Sequence, residues 1–103
     1  MISLKSSHIY IDNELVKKVF GNIHYAYAVY NREQKRLLIT PVSSQWFVKM
    51  NEKPAQFLLK DRNLKGDKTL AIREILIDND LEIYDRELDY EVIEKTNLLK
   101  IKV

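Results

Sequence analysis

Ile9-Tyr10-Ile11-Asp12-Asn13-Glu14-Leu15 returns near the other end of the chain as Ile75-Leu76-Ile77-Asp78-Asn79-Asp80-Leu81. At this constant offset, residues 3–15 and 69–81 also match Leu4 with Leu70. With a few residues gapped, Tyr25, Tyr27 and Val29 answer to Leu88, Tyr90 and Val92, and Leu37, Leu38 and Val42 answer to Leu98, Leu99 and Val103. A repeated block is usually one supersecondary unit that cannot bury its apolar face alone. The chain is therefore expected to be a duplicated strand–short helix–hairpin unit whose two copies share one core. Ile9, Ile11, Leu15, Ile75, Ile77 and Leu81 are the expected contributions to it.

The chain has 103 residues, enough for one domain but not for two independent cores. Half-unit one is expected over residues 1–42, a helical insert over 43–68 and half-unit two over 69–103. With no cysteine, disulfides, thiolate chemistry and cysteine-ligated zinc are excluded. The first residues lack the apolar stretch of a signal peptide, and the longest apolar run, residues 25–30, is too short to span a bilayer. A soluble cytoplasmic protein is expected. Charge is uneven. Residues 1–72 carry twelve Lys/Arg against six Asp/Glu, net +6, and residues 73–103 carry five against nine, net −4. Such polarity suits either a basic face for nucleic acid or head-to-tail self-association into a homo-oligomer.

Along the chain, residues 4–11 alternate as a strand, with Ile9 and Ile11 on one face and His8 and Tyr10 on the other. Asp12 is a good helix N-cap, Leu15, Val16, Val19 and Phe20 recur at helical spacing, and Gly21 is the expected left-handed stop. Residues 25–30 and 36–40 read as a hairpin around a polar loop at 31–35, closed by Pro41. In the insert, Ser44 is expected to cap a helix over 45–50, and Pro54 to open a second over 54–62, closed by Gly66 and Asp67. Residues 69–77 restart a strand, and Asp78 is expected to cap a turn of helix around Leu81. Residues 87–92 alternate charged and apolar, a strand with one wet face, and 98–103 form its hairpin partner.

Strand, capped short helix and a hairpin ending in Leu-Leu-x-x-x-Val resembles the half-unit of AbrB-like swapped-hairpin domains. Two such units joined by a helical insert look like the MraZ family of bacterial regulators. The resemblance covers almost the whole chain as pattern rather than identity. It implies a mainly β fold with short helices (α+β): a pseudo-twofold, duplicated swapped-hairpin β-barrel with a helical insert between the half-units. It also implies homo-oligomers that contact double-stranded DNA as transcription regulators. The family's Ile-Pro before the helix is Ile11-Asp12 and Ile77-Asp78 here, which starts a helix by capping. The family's DNA-facing Asp-x-x-x-Arg pair falls on Leu4 and His8 in one copy and on Leu70 and Glu74 in the other. Neither copy keeps the pair, and Arg73 stands one residue off register, on the opposite face of a strand.

Enzymatic signals are weak throughout, and no cofactor, metal or small-molecule substrate is inferred. Two histidines, His8 and His24, make no zinc spacing, and two glycines make no phosphate loop. Asp78, Asp80 and Glu82 have the spacing of early calcium ligands, but Ile83 replaces the required glycine. First-turn acids of a helix account for them. Tyr25, Tyr27 and Tyr30 suit either base stacking or the core, and Trp46 with Phe47 either an interface or the core. The best phosphate-contacting surface gathers Lys5, His8 and Arg73 near the strand starts with Lys60, Arg62, Lys65 and Lys68 of the insert, beside Lys49 and Lys53. Two functions follow: a DNA-binding regulator of the MraZ/AbrB kind, or a non-enzymatic interaction or structural barrel that has lost DNA binding.

Overall fold

A computed structural model describes residues 1–51 and 54–103. The chain runs β1 (Ile2–Lys5), β2 (His8–Ile11), α1 (Asn13–Val19), β3 (Tyr25–Asn31), β4 (Arg36–Pro41), α2 (Gln45–Met50), β5 (Ala55–Leu58), β6 (Lys60–Asp61), β7 (Lys68–Ala71), α3 (Arg73–Asp78), β8 (Arg86–Ile93), a 3-10 turn (Glu94–Thr96) and β9 (Leu98–Lys102). All pairings are antiparallel, in the order β5-β3-β4-β9-β8-β1-β2-β7-β6. The two outermost strands, β5 and β6, are consecutive in sequence and separated by Leu59 alone. The sheet therefore curls until its edges nearly meet, and the Leu59 N–H donates to the His24 carbonyl at 2.7 Å, extending the β3–β5 ladder by one residue. Near-closure removes the open strand edges that would otherwise invite aggregation.

Alternation fills the interior. Ile2 and Leu4 of β1, Ile9 and Ile11 of β2, Ala26 and Ala28 of β3 and Leu37 and Ile39 of β4 are buried, joined by Leu70, Leu88, Leu99 and Ile101. Helix α1 covers one end with Leu15, Val16, Val19 and, just past it, Phe20. Its start follows the sequence: Asp12 is extended and its carboxylate accepts from the Leu15 N–H at 3.0 Å. Its stop does too, since Gly21 takes the left-handed φ of +57°. A second, smaller cluster of Leu38, Phe47 and Leu98 lies under α2. There Phe47 stacks on Tyr27 at 6.2 Å and meets Trp46 edge-on at 5.5 Å, so this aromatic pair is core packing.

Several expectations are corrected. Residues 4–11 are not one strand but the arms of the β1–β2 hairpin, which turns at Ser6 and Ser7 with φ of +49° and +62°. Residues 54–62 are not helical: they supply β5 and β6, which pair with the sides of β3 and β7 that β4 and β2 leave open. Among its described residues the insert is therefore helical only over Gln45–Met50. Its Ser44 makes no cap bond, being held inward as acceptor of the Thr40 hydroxyl at 3.0 Å. Gly66 and Asp67 close a loop, not a helix. Residues 69–77 divide into β7 and α3, and Asp78 ends α3 instead of capping a later turn. The β2–β7 ladder ends there with the Ile72 N–H on the Ser7 carbonyl at 3.0 Å, and the helical turn that follows, with the Leu76 N–H on the Ile72 carbonyl, places Leu76 in the core. Ile77 faces solvent in consequence, 57% exposed, while Ile75 and Leu81 pack partly on the core.

Among the described residues no helix is long and apolar enough to cross a membrane.

Candidate nucleic-acid interface

The inward alternation of β1 and β2 aims Ser3, Lys5, His8 and Tyr10 outward. Register sets Ser3 opposite Tyr10, Tyr10 opposite Thr69 and Thr69 opposite Lys60, so one row crosses β1, β2, β7 and β6 on the outer face. Lys5 and His8 form the next row, at the hairpin tip. Tyr10 is the centre: the Arg62 guanidinium carbon lies 4.2 Å from its ring centroid and Lys5 Nζ 5.7 Å. Both cations are drawn to the Tyr10 ring, which gathers two positive charges beside it, while the carboxylates of Asp12 and Asp67 line the same shallow pocket as Tyr10 and Arg62.

The hairpin tip is wired in place. His8 Nδ1 donates to the Ser6 carbonyl at 2.8 Å, the Ser6 N–H donates to Asp85 at 2.9 Å, and the Ser7 carbonyl accepts from Ile72. With Nδ1 engaged, His8 has Nε2 left for an outside partner. Arg73 begins α3 next to Ile72, exposed and beside this tip. It belongs to a helix, not to the strand register expected of it.

Lys60 and Lys65 are exposed, the first on the outer row and the second in the loop at residues 62–67. Lys68 stands apart from this row. It lies opposite Ile11, on the inward side at the barrel end, and its ammonium is paired with Asp61. That pairing holds the Asp61 carboxyl below its ordinary range. Lys49 sits in the last turn of α2, apart from this face by element, and Lys53 lies outside the described residues. The structure thus brings Lys5, His8, Lys60 and Arg62 onto one sheet face with Tyr10, sets Arg73 at its edge, and pairs Lys68 with Asp61 on the inward side.

Tyr10 is the residue that sequence reasoning passed over. Its signal was its alternation with Ile9 and Ile11, which makes it an outward aromatic between two cationic segments. The acidic row of β8 is also less acidic than it reads: Asp89 and Glu91 face Lys102 and Lys100 across β9. Tyr25 is half exposed, whereas Tyr27 and Tyr30 pack on the two clusters. Among the described residues no group of three metal-ligating side chains is gathered.

No protein-family model, no curated protein and no solved structure matches the chain.

Proposed function

We propose that the chain is a DNA-binding transcription regulator of the MraZ/AbrB kind, acting in the cytoplasm through the outer face of β1, β2, β7 and β6. The observation that carries it is the sharing of the Tyr10 ring by Arg62 and Lys5. Cations fixed on a sheet face at the end of a hairpin suit a run of phosphates, and phosphate contacts supply most of the affinity for duplex DNA.

The same reading makes the barrel a duplicated swapped hairpin. Its support is the interlocking: β2 pairs β7, β4 pairs β9, β1 pairs β8 and β3 pairs β5, so every hairpin of one half is completed by the other. The halves then correspond as Ile9, Ile11 and Leu15 to Leu70, Ile72 and Leu76, all buried and shifted five residues from the repeated words. The strand β5–β6 answers to β1, which likewise pairs on both sides.

Retention of duplex DNA in a gel-shift series at falling salt tests this function. A binder loses affinity with a log–log slope of roughly −0.9 per phosphate contact.

A non-enzymatic interaction barrel is the second reading. Tyr25 and Leu58, directly paired across β3 and β5 and 50% and 52% exposed, favour it as an apolar spot for a second copy of the chain. Light scattering distinguishes a strict monomer from such an assembly.

A further inference from the structure

Residues 62–67 link β6 to β7 as a loop that is tied rather than slack. Asn63 Oδ1 accepts from the backbone N–H groups of Lys65 and Asp67 at 3.0 and 3.3 Å, and its amide donates to the Asp67 carboxylate at 2.9 Å. The Arg62 N–H donates to the Asp67 carbonyl at 3.0 Å, closing the loop at its base. The loop is then bolted to the start of α1: Asn13 donates its backbone N–H to Asp67 at 2.7 Å and its side-chain amide to the Lys65 carbonyl at 3.1 Å. Gly66 allows the turn with φ of +100°, where an L side chain would be strained.

At the tip stands Leu64, 108% exposed, more open than in an extended reference chain. Single exposed leucines are common. This one differs in three ways: its loop is held by side-chain bonds on both sides of it, Lys65 follows it at once, and two residues before it Arg62 rests on Tyr10. An apolar tip on a loop tied at both sides, with Arg62 before it and Lys65 after it, has the form of a wedge. Architectural DNA-binding proteins insert such leucines, isoleucines or methionines between base steps and kink the duplex, while flanking cations hold the phosphates.

We infer that Leu64 is a wedge that enters a groove of duplex DNA and unstacks a base step, with Arg62 and Lys65 on the flanking phosphates. This inference rests on the proposed DNA-binding reading and adds to it a deformation of the DNA. A membrane surface is the rival occupant for an apolar tip among cations. It is disfavoured by size, because even a whole acyl chain anchors a protein only marginally, and one leucine buries far less.

The test uses the full chain with mixed-sequence duplexes carrying 2-aminopurine or end-placed fluorophore pairs. The expected result is a rise in 2-aminopurine fluorescence and a shortened end-to-end distance on binding. Leu64→Ala should lose both, weaken binding about ten- to a hundredfold, and keep the wild-type salt slope. Leu64→Met should restore the bend. Binding by the wild type with an unbent duplex, or an unchanged bend in Leu64→Ala, overturns the wedge and leaves the DNA-binding reading standing. Failure of the wild type to retain any duplex overturns both. Sedimentation with phosphatidylserine vesicles that Leu64→Ala abolishes, without DNA bending, overturns the wedge in favour of a lipid surface.

Discussion

The guanidinium carbon of Arg62 lies 4.2 Å from the centroid of the Tyr10 ring, joining the loop after β6 to the outer face of β2. An arginine so placed is pre-oriented, with N–H groups left at its edge for a phosphate fork. The contact needs the ring and not its hydroxyl. Tyr10→Phe should therefore keep DNA affinity within about twofold, while Tyr10→Leu should weaken it and lower stability by roughly 0.5–1 kcal/mol. Paired binding and urea titrations check this; equal behaviour of the two variants would remove the ring from the account.

Ile11 and Ile77 occupy matching places in the repeated words but opposite environments, 1% and 57% exposed. Ile11→Ala should cost about 2–5 kcal/mol through the cavity it leaves. Ile77→Ala should stay within about 0.5 kcal/mol. Denaturant unfolding of the two variants gives the comparison, and a large loss for Ile77→Ala would contradict the helical assignment of α3.

The β1–β2 turn uses two serines at left-handed φ, where Asn-Gly is the favoured pair. Each such residue stores about 1 kcal/mol or more of strain. Ser7→Gly should therefore raise Tm by roughly 3–8 °C, read by thermal unfolding. A lower Tm would mean the hydroxyl has a structural task there.

Asp12 holds the start of α1 and titrates below its ordinary 3.8. Burial pushes it up, but the N-terminal ammonium and the N–H groups of Leu15 and Glu14 together outweigh that. A carboxylate with a lowered folded value stabilises above its ordinary value and loses that contribution as pH falls through the lowered one. Asp12→Ala should cost about 1 kcal/mol at neutral pH, mostly as a lost cap, since the surface ion pair adds little. The gap between variant and wild type should close below about pH 4. Unfolding at several pH values follows it; a gap that widens on acidification would be contrary.

How far the chain was legible depended on whether local chemistry and packing agreed. They agree at Asp12 and Gly21, which bracket α1 as the sequence indicates, and in the β3–β4 and β8–β9 hairpins, whose alternation runs unbroken. They disagree at Ile75-Leu76-Ile77, where an apolar run reads as strand, yet the β2–β7 ladder ends with the Ile72 N–H on the Ser7 carbonyl and a helix follows that buries Leu76. Repeated words there match in letters but not in environment. Ser6 and Ser7 hid a turn because neither is the glycine or asparagine that announces one. Residues 54–62 looked helical from Pro54 and an apolar triplet, while their real task is to pair β3 and β7 and close the sheet. For the interface, the basic residues were visible in the sequence, but only the fold places Lys68 against Asp61 and Arg62 on Tyr10.

The direct measurement is the salt dependence of duplex binding by the wild type and by a Lys5→Ala/Arg62→Ala double variant, from about 50 to 200 mM salt. The account predicts retention of DNA at the low end, a linear log–log decline, and a slope flatter by about two in the double variant. No retained duplex, specific or random, near 50 mM salt, or a double variant with the wild-type slope, would contradict it.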